Sequence, residues 1–317
     1  MTAATQRPQL LMIGPLLPSL MERIAAQYEV HRYWELADAP AWLQENAARI
    51  EGIATSGVFG AKAELIEALP NLKAIISFGV GYDAIDIAAA KKCGVTVTNT
   101  PGVLDNCVAD TAVSILLALG RRICESDRFV RNGEWEKGRF PLSGSIGGKV
   151  CGIVGMGNIG RAIAKRVEAF GMTVAYHNRS RRDDVDYTYH ETLEGLLEAA
   201  DYAVLVVPGG KATDKLIGAE QLKALGANGY LVNIARGSVV DEQALIEALQ
   251  NGTIAGAALD VFAEEPKVPQ ALRELDNVVL TAHIGSGTHE TRQAMADLFF
   301  ANLDGVFRQG KAVTPVV

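Results

Sequence analysis

Cysteine, clustered positive charge and long apolar runs are all scarce in this sequence, and each scarcity removes a class of protein. The four cysteines, Cys93, Cys107, Cys124 and Cys151, stand 14, 17 and 27 residues apart, which fits neither a zinc cluster nor a CxxC redox pair. Reduced, buried thiols are predicted. His283 and His289 are six apart, not the four that would set two ligands on one helical face, so no structural metal is expected. Lys and Arg total 30 against 37 Asp and Glu, a formal charge of −7, and no basic block is long enough to follow a phosphate backbone. Nucleic acid is therefore not an expected partner. No 18-residue apolar stretch is free of charges or of Gly and Pro breaks, so no membrane span is predicted. The leading segment Met1–Pro8 is short and polar, without the charged start and apolar core of a secretory signal. A soluble, cytoplasmic protein is the expectation.

What is present is ample apolar material: 49% of the 317 residues are hydrophobic and 21% charged, enough for a substantial core in about two domains. Short apolar runs alternate with amphipathic stretches and Gly-rich turns, the pattern of an α/β protein with parallel sheets. In the first third, strands are predicted at Gln9–Ile13, Ile50–Thr55, Leu72–Ser77 and Val95–Thr98, with helices at Leu17–Gln27, Ala61–Ala68 and Ile85–Lys92. Asn71 and Gly94 mark two helix-to-strand turns. Leu104–Ala118, mainly apolar and free of glycine, predicts a long helix buried on several sides. The polar segment Arg121–Lys149, with Trp135, Phe140 and Pro141, is expected to pack outside its own domain. Six further strands are predicted at Cys151–Val154, Thr173–Tyr176, Tyr202–Val207, Tyr230–Asn233, Gly256–Leu259 and Val278–Thr281. Six strands suit a Rossmann-type, doubly wound parallel sheet.

Gly155-Met156-Gly157-Asn158-Ile159-Gly160 satisfies G-x-G-x-x-G, with an apolar run before it and a helix carrying Ile163, Val167 and Phe170 on one face after it. Such glycines allow a tight turn and close approach of a pyrophosphate, while the helix N-terminal amides face the phosphates. A dinucleotide site is predicted. Sites selecting NAD place an Asp or Glu about 20 residues on, against the ribose 2′-hydroxyl. Here the second strand ends in Tyr176-His177-Asn178-Arg179-Ser180-Arg181-Arg182, with no carboxylate before Asp183. A carboxylate would repel a 2′-phosphate, whereas a guanidinium pairs with it and a hydroxyl adds a hydrogen bond. Arg179, Ser180 and Arg181 therefore predict NADP, with NADPH preferred over NADH.

Three more motifs each lie just beyond a predicted strand: Val232-Asn233-Ile234-Ala235-Arg236-Gly237, Asp260-Val261-Phe262-Ala263-Glu264-Glu265-Pro266 and His283-Ile284-Gly285-Ser286. Ligands bind at the carboxyl ends of the strands of an open parallel sheet, so Arg236, Glu265 and His283 can converge there. Taken with the glycine motif, these segments closely resemble the D-isomer-specific 2-hydroxyacid dehydrogenases over nearly the whole chain. Ser77-Phe78-Gly79-Val80-Gly81-Tyr82-Asp83 is similar to the family's substrate loop. Asn99-Thr100-Pro101-Gly102-Val103-Leu104 with Val108-Ala109-Asp110 is similar to its entry into the cofactor domain. Within the family, the Arg-Ser pair and the Trp135…Phe140-Pro141 segment most resemble the NADPH-dependent glyoxylate/hydroxypyruvate and hydroxyphenylpyruvate reductases.

The resemblance implies a discontinuous flavodoxin-like substrate domain, residues 1–103 and 288–317, around a cofactor domain of residues 104–287, with Glu290–Phe307 as the returning helix and hinges closing a cleft. It implies that Arg236 clamps the carboxylate of a small 2-keto acid, that His283 donates the proton, and that Glu265 fixes the imidazole tautomer and raises its pKa. Val80 and Gly81 amides would bind the substrate carboxylate. Leu104 and Val108 would lie against the nicotinamide, and Gly157, Asn158 and Ile159 by the pyrophosphate. Val207, Pro208, Thr213, Ala235, Arg236, Asp260, His283 and Gly285 also fall where family members contact the cofactor. Pro208-Gly209-Gly210-Lys211-Ala212-Thr213 departs from the commoner Pro-Leu-Thr-Pro-Glu-Thr. His31, His177, His190 and His289 are read as structural. Val58 and Phe59 are placed at the side-chain pocket. A homodimer is implied, with Trp135 or Phe140 either reaching a partner's pocket or acting as a buried local anchor. The activity expected is reduction of glyoxylate to glycolate and of hydroxypyruvate to D-glycerate. Hydroxyphenylpyruvate reductase, D-lactate-type and phosphoglycerate-type dehydrogenases, and a non-catalytic dinucleotide-sensing corepressor stay open, while Glu265 in place of Gln speaks against a formate dehydrogenase.

Overall fold

The computed structural model describes residues 7–317; residues 1–6, most of the leading segment considered above, lie outside the described residues. Two compact units form, one from the chain up to Leu104 together with His289–Val317, the other from Asp105–Thr288.

The first unit holds β1 (Gln9–Met12), β2 (Glu29–Arg32), β3 (Ile50–Ser56), β4 (Ala74–Phe78) and β5 (Thr96–Thr98) in a parallel sheet of order β2-β1-β3-β4-β5. That is the flavodoxin-like order. β1 and β4 are buried at every residue, which is why Leu10-Leu11-Met12 and Ala74-Ile75-Ile76 read as unbroken apolar runs rather than as alternation. The helix His289–Gln309 belongs to this unit: Phe299 meets Phe78 at 6.4 Å, and the buried Asn302 side chain accepts the amides of Val313 (3.1 Å) and Thr314 (2.9 Å). Asn302 also donates to Thr314 Oγ1 at 2.8 Å, so one buried amide ties the helix to the chain's last turn.

The second unit holds β6 (Val150–Val154), β7 (Thr173–His177), β8 (Thr188–Tyr189), β9 (Tyr202–Leu205), β10 (Tyr230–Asn233), β11 (Gly256–Leu259) and β12 (Val278–Leu280). All pairs are parallel and the order is β12-β11-β10-β9-β6-β7-β8. This is the Rossmann-type order, reversing between β6 and β9. Seven strands stand where six were expected, the addition being the two-residue edge strand β8. The register puts Leu280, Leu259, Asn233, Leu205, Val154 and His177 side by side. Every loop that follows those residues therefore leaves from one edge of the sheet. The helix Asp105–Gly120 buries Val108, Ala109, Ala112, Val113, Ile115, Leu116 and Leu119, matching its apolar reading.

Two expectations need correction. Only Cys151 is a buried thiol, its pKa pushed up to about 12 by burial; Cys107 and Cys124 are half-buried and Cys93 is exposed. Phe170 lies beyond the helix Asn158–Ala169 and is 48% exposed, so the buried face of that helix is Gly160, Ile163, Ala164 and Val167. The segment after Arg121 contains the helix Ile123–Arg131. Phe140 is anchored locally, edge-on to Phe129 at 5.4 Å with the Arg122 guanidinium 4.9 Å from its ring, while Trp135 is 66% exposed. Among the described residues no helix is long and apolar enough to cross a membrane.

Candidate active site

The edge of the seven-stranded sheet where the strands end gathers four sequence motifs. After β6, Gly155 adopts φ +108°, and a side chain there would press on the Val206 carbonyl at 2.9 Å. A Cβ at Gly160 would meet the Gly155 carbonyl oxygen at 2.2 Å, so that glycine lets the helix start against the turn. Gly157 differs: a Cβ there would meet nothing within 4 Å. No contact within the protein calls for glycine at 157, whereas a phosphate approaching the amides of Asn158 and Ile159 at the helix start does. The loop therefore fits a dinucleotide pyrophosphate. Asn178, at the end of β7, accepts the Met156 N–H through Oδ1 at 2.7 Å and thereby fixes the loop from the neighbouring strand. Arg179, Ser180 and Arg181 follow it, all exposed.

After β9, Val207 is half-buried and Pro208 exposed. The Thr213 hydroxyl is used by its own loop, donating to the carbonyls of Pro208 (2.6 Å) and Gly210 (3.2 Å). The divergent Pro208–Thr213 segment thus closes on itself.

After β10, the buried Asn233 side chain shapes the turn that presents Arg236. Its Oδ1 accepts the Ala235 N–H at 3.0 Å and its Nδ2 donates to the Arg236 carbonyl at 2.9 Å. The Arg236 guanidinium donates to the Ala235 carbonyl at 2.7 Å, which orients it. Gly237 admits no side chain, because a Cβ would lie 1.9 Å from the Phe262 carbonyl oxygen. The turns after β10 and β11 are therefore in contact.

After β11, Asp260 is 1% exposed and its carboxylate braces the next loop. Oδ1 accepts from Thr281 Oγ1 (2.6 Å) and the Ile284 N–H (2.8 Å), and Oδ2 from the Gly285 N–H (2.8 Å). The Asp260 carbonyl accepts the His283 N–H at 2.9 Å. These bonds hold His283 at φ +52°, a left-handed conformation that costs a β-carbon residue about 1–2 kcal/mol and aims the ring. A Cβ built at Gly285 would lie 3.1 Å from Asp260 Oδ2, 3.4 Å from Ile234 and 3.7 Å from Val108, so these residues share one locality. Asp260→Asn replaces an acceptor by a donor facing amide N–H groups. It is expected to destabilise the protein by about 3 kcal/mol, read as a lowered urea midpoint; an unchanged midpoint would show the brace to be dispensable.

His283 Nδ1 and Glu265 Oε2 are 2.7 Å apart. Burial pushes the Glu265 carboxyl up, but hydrogen bonds from His283 and from the Phe262 N–H (3.1 Å), with the charges of His283 and Arg236, hold it below the usual glutamate value. An ionised carboxylate can only accept, so Nδ1 carries a hydrogen and Nε2 is left as the site of proton exchange. Arg236, Glu265 and His283 thus form a cation, an orienting anion and an acid–base ring on three adjacent strand ends.

The remaining candidates lie apart in sequence and unit. Val80 and Gly81, half-buried, follow β4 of the five-stranded sheet, in a loop fixed by Asn99 Nδ2 to the Val80 carbonyl (2.7 Å) and by the Gly79 N–H to Thr100 Oγ1 (3.1 Å). Leu104 is buried at the end of that stretch, and the ring of Phe59 stands where a Cβ on Gly14 would fall. Asn233 and Asn178 were not singled out from sequence, although each stands at a strand end inside a quoted motif.

Residues 113–285 match the family described as D-isomer specific 2-hydroxyacid dehydrogenase, NAD binding domain. Glyoxylate/hydroxypyruvate reductase A of Arabidopsis thaliana is 45% identical over 307 residues, 97% of this chain and 98% of that protein. The 2-ketogluconate reductase of Gluconobacter oxydans is 43% identical over 313 residues, covering 99% of this chain and all of its own length. Among solved structures, the NADPH-dependent glyoxylate/hydroxypyruvate reductase of Sinorhizobium meliloti, in complex with NADP and malonate, superposes with a TM-score of 0.92 at 46% identity, covering 98% of this chain and 97% of its own.

Proposed function

The chain belongs to the D-isomer-specific 2-hydroxyacid dehydrogenase family and is an oxidoreductase with an NAD(P)-binding domain; we propose that it reduces small 2-keto acids with NADPH, glyoxylate to glycolate and hydroxypyruvate to D-glycerate. The observation that carries the reading is the 2.7 Å His283–Glu265 contact with Arg236 on the adjoining strand end. Bound NADPH supplies the hydride to the keto carbon. As that carbon is reduced, negative charge grows on its oxygen, and His283 Nε2 delivers the proton there. The Glu265 carboxylate stabilises the ring's charge before transfer and keeps its tautomer. Arg236 holds the substrate carboxylate in a planar fork and polarises the keto oxygen. The Gly157, Asn158 and Ile159 amides take the pyrophosphate, and Val80 and Gly81 keep the substrate role that the resemblance assigns them.

NADPH is favoured because the turn after β7 offers two exposed guanidinium groups and a hydroxyl. Of the two carboxylates that follow, Asp183 and Asp184, the second is already engaged. Asp184 accepts from Arg161 at 2.5 Å and from Arg182 at 3.2 Å, and hydrogen bonds from these two arginines bring its pKa down to about 2. A steady-state panel of glyoxylate, hydroxypyruvate, hydroxyphenylpyruvate and 2-ketogluconate with NADPH and NADH tests the reading. Turnover of the first two with NADPH is expected. The double variant Arg179→Ala/Ser180→Ala should raise the NADPH KM about 150-fold, two lost hydrogen bonds to a charged group at about 1.5 kcal/mol each, and leave the NADH KM nearly unchanged. Preference for NADH in the unsubstituted enzyme would overturn the cofactor assignment, 2-ketogluconate as the best acid would overturn the substrate, and no turnover with any acid would favour a sensor.

A further inference from the structure

The turn that carries Arg179, Ser180 and Arg181 is pinned at both ends by phenols that face the protein. Tyr176, next to last in β7, is fully buried, and its hydroxyl meets both backbone groups of Arg182: it accepts the N–H at 2.9 Å and donates to the carbonyl at 3.3 Å. Tyr189, on the edge strand β8, packs its ring on Tyr176 at 5.3 Å between centroids and donates its hydroxyl to the Asn178 carbonyl at 3.2 Å. Asn178 in turn holds the Met156 N–H of the glycine loop. The segment 178–182 is therefore closed at its first and last residues, and its first residue is bonded to the pyrophosphate loop.

We infer that Tyr176, assisted by Tyr189, is a positioning residue for cofactor choice, presetting the 178–182 turn for an adenosine 2′-phosphate without touching it. The inference rests on the NADPH reading above. A five-residue surface turn left mobile would have to be ordered when the phosphate binds, and that entropy cost would be subtracted from affinity. With both ends fixed, the cost is met during folding instead. The charged groups beside the turn are likewise committed: the Arg182 guanidinium is bonded to Asp184, which also holds Arg161 on the helix that starts at the glycine loop. Among the described residues, Arg179 and Arg181 are in no ion pair, so the two charges between the pins remain for an anion. NADH, which lacks the 2′-phosphate, gains nothing from the presetting.

The test is fluorescence titration of the full-length protein with NADPH and with NADH, on the unsubstituted chain and on Tyr176→Phe, Tyr189→Phe and Arg179→Ala. Tyr176→Phe removes one hydroxyl from a buried ring and is expected to raise the NADPH Kd about fivefold, the loss of roughly one neutral hydrogen bond, with the NADH Kd changed less than twofold. Tyr189→Phe should show the same selective loss and replaces Tyr176→Phe if that variant does not fold. A merely structural role would raise both dissociation constants together, and that result overturns the inference. If Arg179→Ala weakens NADPH while both tyrosine variants keep the original NADPH-to-NADH ratio, the inference alone fails. If the unsubstituted chain binds NADPH no better than NADH, the cofactor reading fails and takes the inference with it.

Discussion

Replacing His283 with alanine is expected to lower kcat for keto-acid reduction about 1,000-fold while leaving the NADPH Kd within a factor of about two, since general acid catalysis contributes on the order of 100- to 10,000-fold. The proton must reach an oxygen whose charge exists only as the hydride arrives, so the loss falls on kcat rather than on binding. Neither partner is built to donate in its place: the Glu265 carboxyl is held below the usual glutamate value while His283 and Arg236 face it, which favours its anion, and Arg236 does not release a proton. The backbone complicates the choice of variant. His283 sits at φ +52°, a left-handed conformation that histidine and asparagine adopt more readily than alanine. His283→Asn therefore serves as the companion, keeping the turn and deleting the acid. Undiminished turnover in both variants would remove His283 from the chemistry. Loss of NADPH binding together with turnover would mean instead that the Asp260 brace had come apart.

The parts of the fold visible in the sequence were those whose apolar residues face a core. β6, β10 and β11 carry unbroken buried runs, β3 is buried at five of its seven residues, and all four were read to within a residue. β2, Glu-Val-His-Arg on the sheet edge, buries no residue, and β8 is two residues long, so neither carries a pattern to find. The helices Ala39–Asn46 and Ile123–Arg131 also bury no residue. Ala39–Asn46 is weakly amphipathic and starts at the Asp38 cap, whereas Ile123–Arg131 is amphipathic but sits in a segment read for its polar composition alone. In the site, Arg236, Glu265 and His283 were legible because each follows a strand, and a parallel sheet brings all such positions to one edge. The side chains that hold them were not. Asn178 reaches Met156 across 22 residues, and Asn233 acts on backbone groups of its own turn; both depend on where the chain lies in space. Asp260, which the family position assigns to the cofactor, is buried, and its carboxylate takes three hydrogen bonds from the His283 loop. Burial of that kind is a property of the folded loop, not of the Asp-Val-Phe motif.

Arg236→Lys is expected to reduce kcat/KM for glyoxylate about 100-fold with little change in NADPH affinity. Charge is conserved in this variant, so the loss isolates geometry. A carboxylate beside a keto group offers oxygens that a planar fork engages in two parallel bonds, whereas an ammonium is a point donor on a flexible stem. The protein invests in the fork's direction: Asn233 fixes the turn from both sides, Gly237 permits its contact with Phe262, and the guanidinium is steadied on the Ala235 carbonyl at 2.7 Å. Lysine retains the attraction but not the orientation, and misorientation of a reacting carbonyl costs rate even where binding survives. The effect should shrink for an aldehyde substrate without a carboxylate, such as glycolaldehyde, reduced slowly by both enzymes, because only the polarisation of the carbonyl oxygen is then at stake. Measuring both substrates separates a clamp from a general support of the site. Equal losses for the two would assign Arg236 to the architecture of the β10 turn, and unchanged kinetics with glyoxylate would remove it from substrate binding altogether. A loss far larger for the carboxylate-bearing acid is the outcome the clamp requires, because only that substrate presents the fork with the group it is shaped to hold.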